Sequence, residues 1–115
     1  MADQIVSILQ FALDGVAQEQ GAIANNLANA QTPNFTATDV TFQQSLAQAL
    51  ASHGTAPASI TESASNAPPA TDGNNVSLTD ELVAAQQATL QYQFLTNAFN
   101  DQFRLVQGAA GGKFT

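Results

Sequence analysis

Apolar residues recur at alternating intervals of three and four over the first thirty residues of the chain. The series is Val6, Leu9, Leu13, Val16, Gln20, Ile23, Leu27 and Ala30, in which Gln20 is the one polar member. Such heptad spacing places a continuous stripe of side chains along one face of a helix. It predicts a single helix over residues 2–30, about 40 Å long at 1.5 Å per residue and weakened at Gly15 by about 1 kcal/mol relative to Ala.

A second heptad pattern occupies the C-terminal part of the chain. Ser77 and Asp80 have the spacing of a capping box, and Glu81 also suits the positive N-terminal end of a helix. Gly108 is suited to end the helix. The pattern predicts a helix over residues 77–108 and a tail over 109–115. Leu78, Ala85, Tyr92, Phe99 and Val106 repeat every seven residues, and Leu82, Ala88, Leu95 and Phe103 flank that line. The predicted packing residues of this helix are Leu78, Leu82, Tyr92, Leu95, Phe99, Phe103 and Val106.

A turn and a short helix follow the first long helix. Pro33 and Asn34 fit the central positions of a type II turn, in which the second position requires positive φ. Thr41 and Gln44 have capping-box spacing, so a helix of about ten residues is expected to end near Ser52. Residues 31–52 are therefore predicted to form this turn and the short helix, with residues 37–40 extended between them.

The stretch over residues 53–76 has the composition of a flexible linker. Ile60 is its only large apolar residue, and Pro57, Pro68 and Pro69 disfavour regular structure through it. Such a segment buries too little apolar surface to offset the entropy lost on ordering. We expect it to be mobile.

These elements predict an all-α fold with two long terminal helices, a short middle helix and a flexible loop. The long helices form either an antiparallel hairpin within one subunit or a coiled coil between subunits. Only 10% of the residues are charged, against roughly 25% in a typical domain, which favours packing between subunits. On the first helix the predicted packing residues are Val6, Leu9, Leu13, Val16 and Ile23.

The composition argues against several classes of function. Nine acidic and two basic residues give a net charge of −7, which disfavours nucleic acid and anionic membrane surfaces as partners. There is no Cys, and His53 is the one His. We therefore predict no catalytic residues, no metal and no cofactor, and interpret Asp80 and Glu81 as a helix N-terminus. No membrane span or cleavable secretory signal is expected.

The segment over residues 23–35, IANNLANAQTPNF, resembles the A-N-N-[LI]-A-N-x-x-T-P-G-Y signature of the flagellar rod and hook axial proteins. Helix propensity does not explain the match, since Asn is a poor helix former. The chain departs from the signature at Asn34 and Phe35, where the family has Gly and Tyr. It also has Thr36, Ala37 and Thr38 where members often have basic residues. The resemblance implies an assembly motif of Asn25, Asn26, Leu27, Ala28, Asn29, Thr32, Pro33, Asn34 and Phe35.

A second resemblance narrows the group within that family. Residues 72–82, 90–93 and 102–104 are similar to the C-terminal half of the FlgB proteins of the proximal rod. The resemblance implies a structural, non-enzymatic subunit of the drive shaft that transmits torque from the motor to hook and filament. It also implies export through the flagellar type III apparatus without a cleaved signal peptide, and assembly in the periplasm.

The implied partners are copies of the chain, FlgC and the distal rod proteins, a FliE-like adaptor and the membrane ring. Another rod protein such as FlgC, or a non-flagellar secreted helical adaptor, is the alternative. The motif asparagines are expected either to tie down the turn within one subunit or, as we favour, to bond to a neighbouring subunit.

Overall fold

A computed structural model describes residues 2–54 and 58–110, with side chains described for residues 4–54 and 58–105. The molecule is elongated, with extents of 63 × 25 × 14 Å along its principal axes. Its elements in chain order are α1 (Ala2–Ala28), β1 (Thr38–Thr41), α2 (Gln43–Ala51), β2 (Thr61–Ala64) and α3 (Leu78–Ala110).

The two long helices form an antiparallel hairpin within the subunit. Asn26 near the end of α1 contacts Glu81 near the start of α3, with 3.1 Å between Nδ2 and Oε1. Val16 in the middle of α1 borders the same groove as Leu95 in the middle of α3. The two long helices predicted from the heptad patterns are present. The first ends at Ala28, before the predicted end at Ala30, and the second continues to Ala110, so Gly108 does not end it as predicted. Coiled-coil packing between subunits stays a prediction.

The prediction of a purely α-helical fold is wrong, because β1 and β2 pair as a two-stranded antiparallel sheet. The register places Thr38 opposite Ala64 and Thr41 opposite Thr61. The second strand lies inside the stretch predicted to lack regular structure. Its sequence, Thr-Glu-Ser-Ala, does not alternate between apolar and polar residues, so no pattern marks it as a strand. All four residues are exposed. Its pairing depends on β1, whose residues lie 20 to 26 positions earlier in the chain than their partners in β2.

The core is small and lies where the sheet and α2 meet the helical hairpin. It consists of Val16, Ile23, Val40, Phe42 and Ala88. The Phe42 ring packs edge-on against Phe11, with centroids 6.2 Å apart and planes at 79°. Phe42 is also the residue that precedes α2, and no side chain caps this helix. The predicted Thr41 capping box is therefore wrong, because Thr41 belongs to β1.

Gly15 provides the surface against which the Phe42 ring packs. A Cβ added at Gly15 would lie 2.5 Å from Cδ2 and 2.6 Å from Cγ of Phe42. Since real Cβ atoms do not approach a ring so closely, only glycine leaves room for this ring on α1. The residue that the sequence marks as a weak point of the helix is a packing requirement of the core.

The predicted packing residues of α1 are all at least half-buried, whereas most of those described on α3 are exposed. Val16 and Ile23 are buried, and Val6, Leu9 and Leu13 are half-buried. Among the described side chains of α3, over residues 78–105, only Ala88 is fully buried, and such a small side chain allows close approach of two helices. Leu95 and Phe99 are half-buried, the Val106 side chain lies outside the described residues, and the other predicted packing residues are exposed: Leu78, Leu82, Tyr92 and Phe103.

Replacing Gly15 by Ala tests the packing of Phe42. We expect Gly15→Ala to lower the free energy of unfolding by about 1–2 kcal/mol, because overpacking outweighs the gain in helix propensity. The matched control is Gly21→Ala in the same helix, where an added Cβ meets nothing within 4 Å. That change should raise the free energy of unfolding by about 1 kcal/mol. Urea unfolding of the three proteins measures both effects, and equal stabilisation by both changes would contradict the packing role.

Candidate functional site: an asparagine joint and an apolar helix face

Two asparagine-rich segments that are far apart in sequence meet at the end of the hairpin. One is the end of α1 with its turn, and the other is the DGNN segment that leads into α3. Three amide side chains, those of Asn26, Asn74 and Asn75, form hydrogen bonds that connect these segments to each other and to the sheet. We call these three residues the asparagine joint.

Asn26 connects α1 to both β1 and α3. Its side chain is only 1% exposed. Its Nδ2 donates to the Thr38 carbonyl at 3.0 Å and to Glu81 Oε1 at 3.1 Å, and its Oδ1 accepts from the Thr38 N–H at 3.0 Å. The amide thus pairs with the free edge of β1 as a neighbouring strand would. The buried Asn26 side chain therefore connects α1, β1 and α3.

Asn74 caps the chain that leaves α1. Its Nδ2 donates to the carbonyls of Asn29 at 2.8 Å and Thr32 at 2.7 Å. The last carbonyls of a helix, and those just beyond it, lack partners within the helix. The Asn74 Oδ1 accepts from the Val76 N–H at 2.8 Å, which sets the direction in which the chain enters α3.

Asn75 joins the start of the sheet to the loop that follows it. Its Oδ1 accepts from the Ala37 N–H at 2.6 Å. Its Nδ2 donates to the carbonyls of Ser65 and Ala67, each at 3.2 Å. The two strand ends are therefore tied to the residue that lies three positions before α3.

The turn after α1 has the geometry predicted from its sequence. Asn34 has a φ of 62°, and the Phe35 N–H donates to the Thr32 carbonyl at 3.3 Å. The Asn34 N–H donates to the Asp72 carbonyl at 3.0 Å. Next to it, Gly73 has a φ of 84°, and a Cβ added there would lie 3.2 Å from Asn34 Cα. The turn and the DGNN segment are thus in direct backbone contact.

The other motif residues have mixed surroundings. Asn29 Nδ2 donates to the Asn25 carbonyl at 2.9 Å, and Thr32 Oγ1 donates to Asn29 Oδ1 at 3.1 Å. Leu27 and Phe35 are half-buried, whereas Ala28 and Pro33 are exposed. The structure thus uses Asn26 and Asn29 within the subunit. Bonds from the exposed motif residues to a neighbouring subunit stay a prediction.

The hydrogen bonds that Asn74 and Asn75 make with the motif and its surroundings could not be predicted from the sequence. The sequence marks them only as part of a turn, since Asp-Gly-Asn-Asn is a common turn sequence. The similarity of residues 72–82 to the FlgB proteins indicates a role for this segment, but residue spacing does not show which residues it contacts. The hydrogen bonds from Asn74 reach 42 and 45 residues back along the chain.

Glu81 has an unusual electrostatic environment for a residue in the first turn of a helix. Partial burial raises the pKa of its carboxyl above the ordinary value of 4.5, and the nearby Asp39 and Asp80 carboxylates add to the increase. The hydrogen bond from Asn26 acts in the opposite direction, because it stabilises the ionised form. The net result is a raised pKa.

The outward side of α3 carries two apolar stripes. At 100° per residue, they lie on either side of the face that packs against α1. No charged residue occurs from position 82 to position 100. One stripe contains Leu78, Leu82, Tyr92 and Phe103, and the other contains Val83, Leu90, Phe94 and Leu105, with exposed fractions between 40% and 72%.

The second stripe borders an apolar groove of about 380 Å³ between α3, α2 and α1. Phe42, Leu46, Phe94 and Leu95 are among the residues that line it. In the described part of the chain, no group of His, Cys, Asp and Glu is arranged to hold a metal ion. Among the same residues, no helix has the length and hydropathy needed to cross a membrane.

Substitution of Asn26 tests the joint directly. We expect Asn26→Ala to lower the free energy of unfolding by about 1–3 kcal/mol, because it leaves the Thr38 backbone groups without partners. The control is Asn25→Ala, one position earlier on the exposed side of α1, which should change stability by less than about 0.5 kcal/mol. Thermal or urea unfolding compares them. Equal effects of the two substitutions would show that burial of the amide is unimportant.

Substitution of Asn34 tests the turn. Asn34→Gly keeps the positive φ at no steric cost and restores the residue of the family signature, so we expect nearly native stability. Asn34→Val should cost at least about 1–2 kcal/mol, since a β-branched residue is strained at this φ. The difference between the two variants in urea unfolding is the measurement. Similar stabilities would mean that the turn relaxes to another conformation.

Comparison with known proteins agrees with the motif and the geometry. A flagellar basal body rod protein FlgB from Aeromonas hydrophila is 31% identical to this chain over 125 aligned positions, which cover 92% of this chain and 95% of the relative. No protein-family model matches the chain. Because the alignment with the relative covers 92% of this chain, the similarity spans both helices, the turn and the DGNN segment. This chain belongs to the FlgB family of flagellar basal body rod proteins.

Proposed function

We propose that this protein is a structural subunit of the proximal rod, the part of the flagellar drive shaft nearest the membrane ring. In this role it transmits torque from the motor toward the hook and filament and performs no catalysis. The observation that carries the proposal is the exposed, uncharged apolar surface of α3. A helix of this length that turns two apolar stripes outward is suited to pack against other helices.

The two stripes support an open assembly. They differ in sequence and lie on different sides of α3, so one subunit can contact two different neighbours. A contact between unlike surfaces is heterologous, and such contacts build helical filaments when the rotation between subunits does not close a ring. A polymer of this kind has the symmetry that a rod requires.

The low charge of the surface also favours helix packing between subunits. An interface that contains few ions requires little desolvation of charged groups. Along α3, the residues between the stripes are mainly Gln, Asn, Thr and Ala, which can be buried at a helix interface with partial hydrogen bonding. We infer that the stripes become covered when subunits join.

The asparagine joint supplies the rigidity that a torque-transmitting subunit needs. It fixes the turn, the sheet and the start of α3 to the end of α1 through buried hydrogen bonds. We propose that the exposed motif residues, Asn25 among them, contact neighbouring subunits. The proposed partners are copies of the chain, FlgC and distal rod proteins, a FliE-like adaptor and the membrane ring, reached after export through the flagellar type III apparatus.

A deletion strain of the source organism tests the proposal. We expect the strain to be non-motile, with membrane rings that lack rod, hook and filament in electron micrographs. The native gene and a Gln10→Glu variant, which adds a charge at an exposed position of α1, should restore motility. A Phe94→Glu variant should not, because it introduces a charge into the apolar stripe where Phe94 is 72% exposed and would be buried on assembly.

The isolated Phe94→Glu protein should keep the native circular dichroism spectrum and unfolding midpoint, since the native side chain is mostly exposed. That result separates failed assembly from failed folding. Normal flagella in the deletion strain would contradict a rod role, unless a second gene copy is found, and would favour a helical adaptor. Full rescue by Phe94→Glu would show that this stripe is not an assembly surface.

A further inference from the structure

Three carboxylates surround one cavity at the free edge of β1. The cavity has a volume of about 260 Å³ and lies between β1, α1 and α3. Glu19 lines it from α1, Asp39 from β1 and Glu81 from α3, and its other lining residues are uncharged. The joint residue Asn26 contacts the same cavity wall through its bond to Glu81.

No positive group among the described residues balances these carboxylates. From α1 the charged group at the cavity is Glu19, which accepts a hydrogen bond from Gln43 Nε2 at 3.4 Å. From β1 it is Asp39, and on α3 it is Asp80 beside Glu81. Arg104, the one described Lys or Arg, pairs with Asp101 near the other end of α3. An ionised Glu81 is therefore partly buried beside the Asp39 and Asp80 carboxylates, with no cation among the described residues to offset them.

We propose that Glu81 is a proton-operated latch between the start of α3 and the asparagine joint. When Glu81 is protonated, its carboxyl still accepts the Asn26 Nδ2–H bond, and repulsion from Asp39 and Asp80 is removed. When Glu81 is ionised, that repulsion and the desolvation of the charge favour separation of the first turn of α3 from β1. The proton is exchanged with solvent, and no other group changes.

The pKa of Glu81 fixes the direction of the effect. Because the pKa is raised on folding, the folded chain binds the proton more tightly than the unfolded chain does. The stabilisation is fully present below the ordinary value of 4.5 and is lost as the pH rises through the folded pKa. The latch is a property of the single subunit and does not depend on a role in the rod.

Amide hydrogen exchange of the isolated, full-length protein tests the latch. The Thr38 N–H reports on the joint, because it donates to Asn26 Oδ1. The Leu46 N–H, which donates to the Phe42 carbonyl at 2.8 Å, serves as a reference amide in α2. We expect the protection of Thr38 relative to Leu46 to fall several-fold as the pH rises from 4.5 to neutral.

Glu81→Gln keeps the acceptor for Asn26 and removes the charge, so its Thr38 protection should not change with pH. Asp14→Asn makes the same change of charge at an exposed position of α1 and should retain the native pH dependence. Identical pH profiles for the native and Glu81→Gln proteins would overturn the latch. So would Thr38 protection that increases with pH in the native protein.

Direct titration of the Glu81 carboxyl by NMR keeps the test decisive if Glu81→Gln fails to fold. The native Glu81 carboxyl should titrate above its ordinary pKa of 4.5. A Glu81 midpoint at or below that value would show that the environment favours the charged form and would exclude the latch.

Discussion

The buried amide of Asn26 is the interaction on which the rest of this subunit depends. An amide removed from water needs partners for its two N–H groups and its oxygen, because each unmet hydrogen bond costs about 1–3 kcal/mol. Here the partners are the Thr38 backbone and Glu81. Burial of Asn26 therefore requires β1 and α3 to lie in fixed positions beside α1. The turn, the sheet and the start of α3 adopt their arrangement around this requirement.

A polar joint suits a chain that buries so little apolar surface. The core cluster contains five buried residues, and Phe42 is its one aromatic ring. Hydrogen bonds depend strongly on direction, so the joint selects one arrangement of the elements where apolar packing alone would permit several. Asn74 and Asn75 extend the same principle to the end of α1 and the base of the sheet. The amide hydrogen bonds therefore select the arrangement of the elements, and the apolar contacts stabilise it.

The joint and the outward side of α3 differ in the side chains that they bury and expose. Near the joint, polar side chains are buried and satisfied within the subunit. Along α3, large apolar side chains such as Leu90 and Phe94 remain exposed, and the segment around them carries no charge. The proposed role as a rod subunit would account for this division, since such a subunit needs both a defined fold of its own and a surface for its neighbours. The acidic cavity at Glu81 lies on the joint side, where a change of protonation acts on the fold of one subunit.

The sequence by itself determined the two long helices, α2 and the left-handed residue Asn34, because each depends on local spacing or on the backbone preference of single residues. It also indicated the family through the motif at the end of α1. Only the tertiary structure decided that β2 pairs with β1, that Phe42 packs on Gly15, and that α3 faces α1 through Ala88 and not through Leu78 or Tyr92. The joint belongs to this second group. The hydrogen bonds of Asn26 join residues 12 and 55 positions apart, and no local pattern records which distant group will satisfy a buried amide.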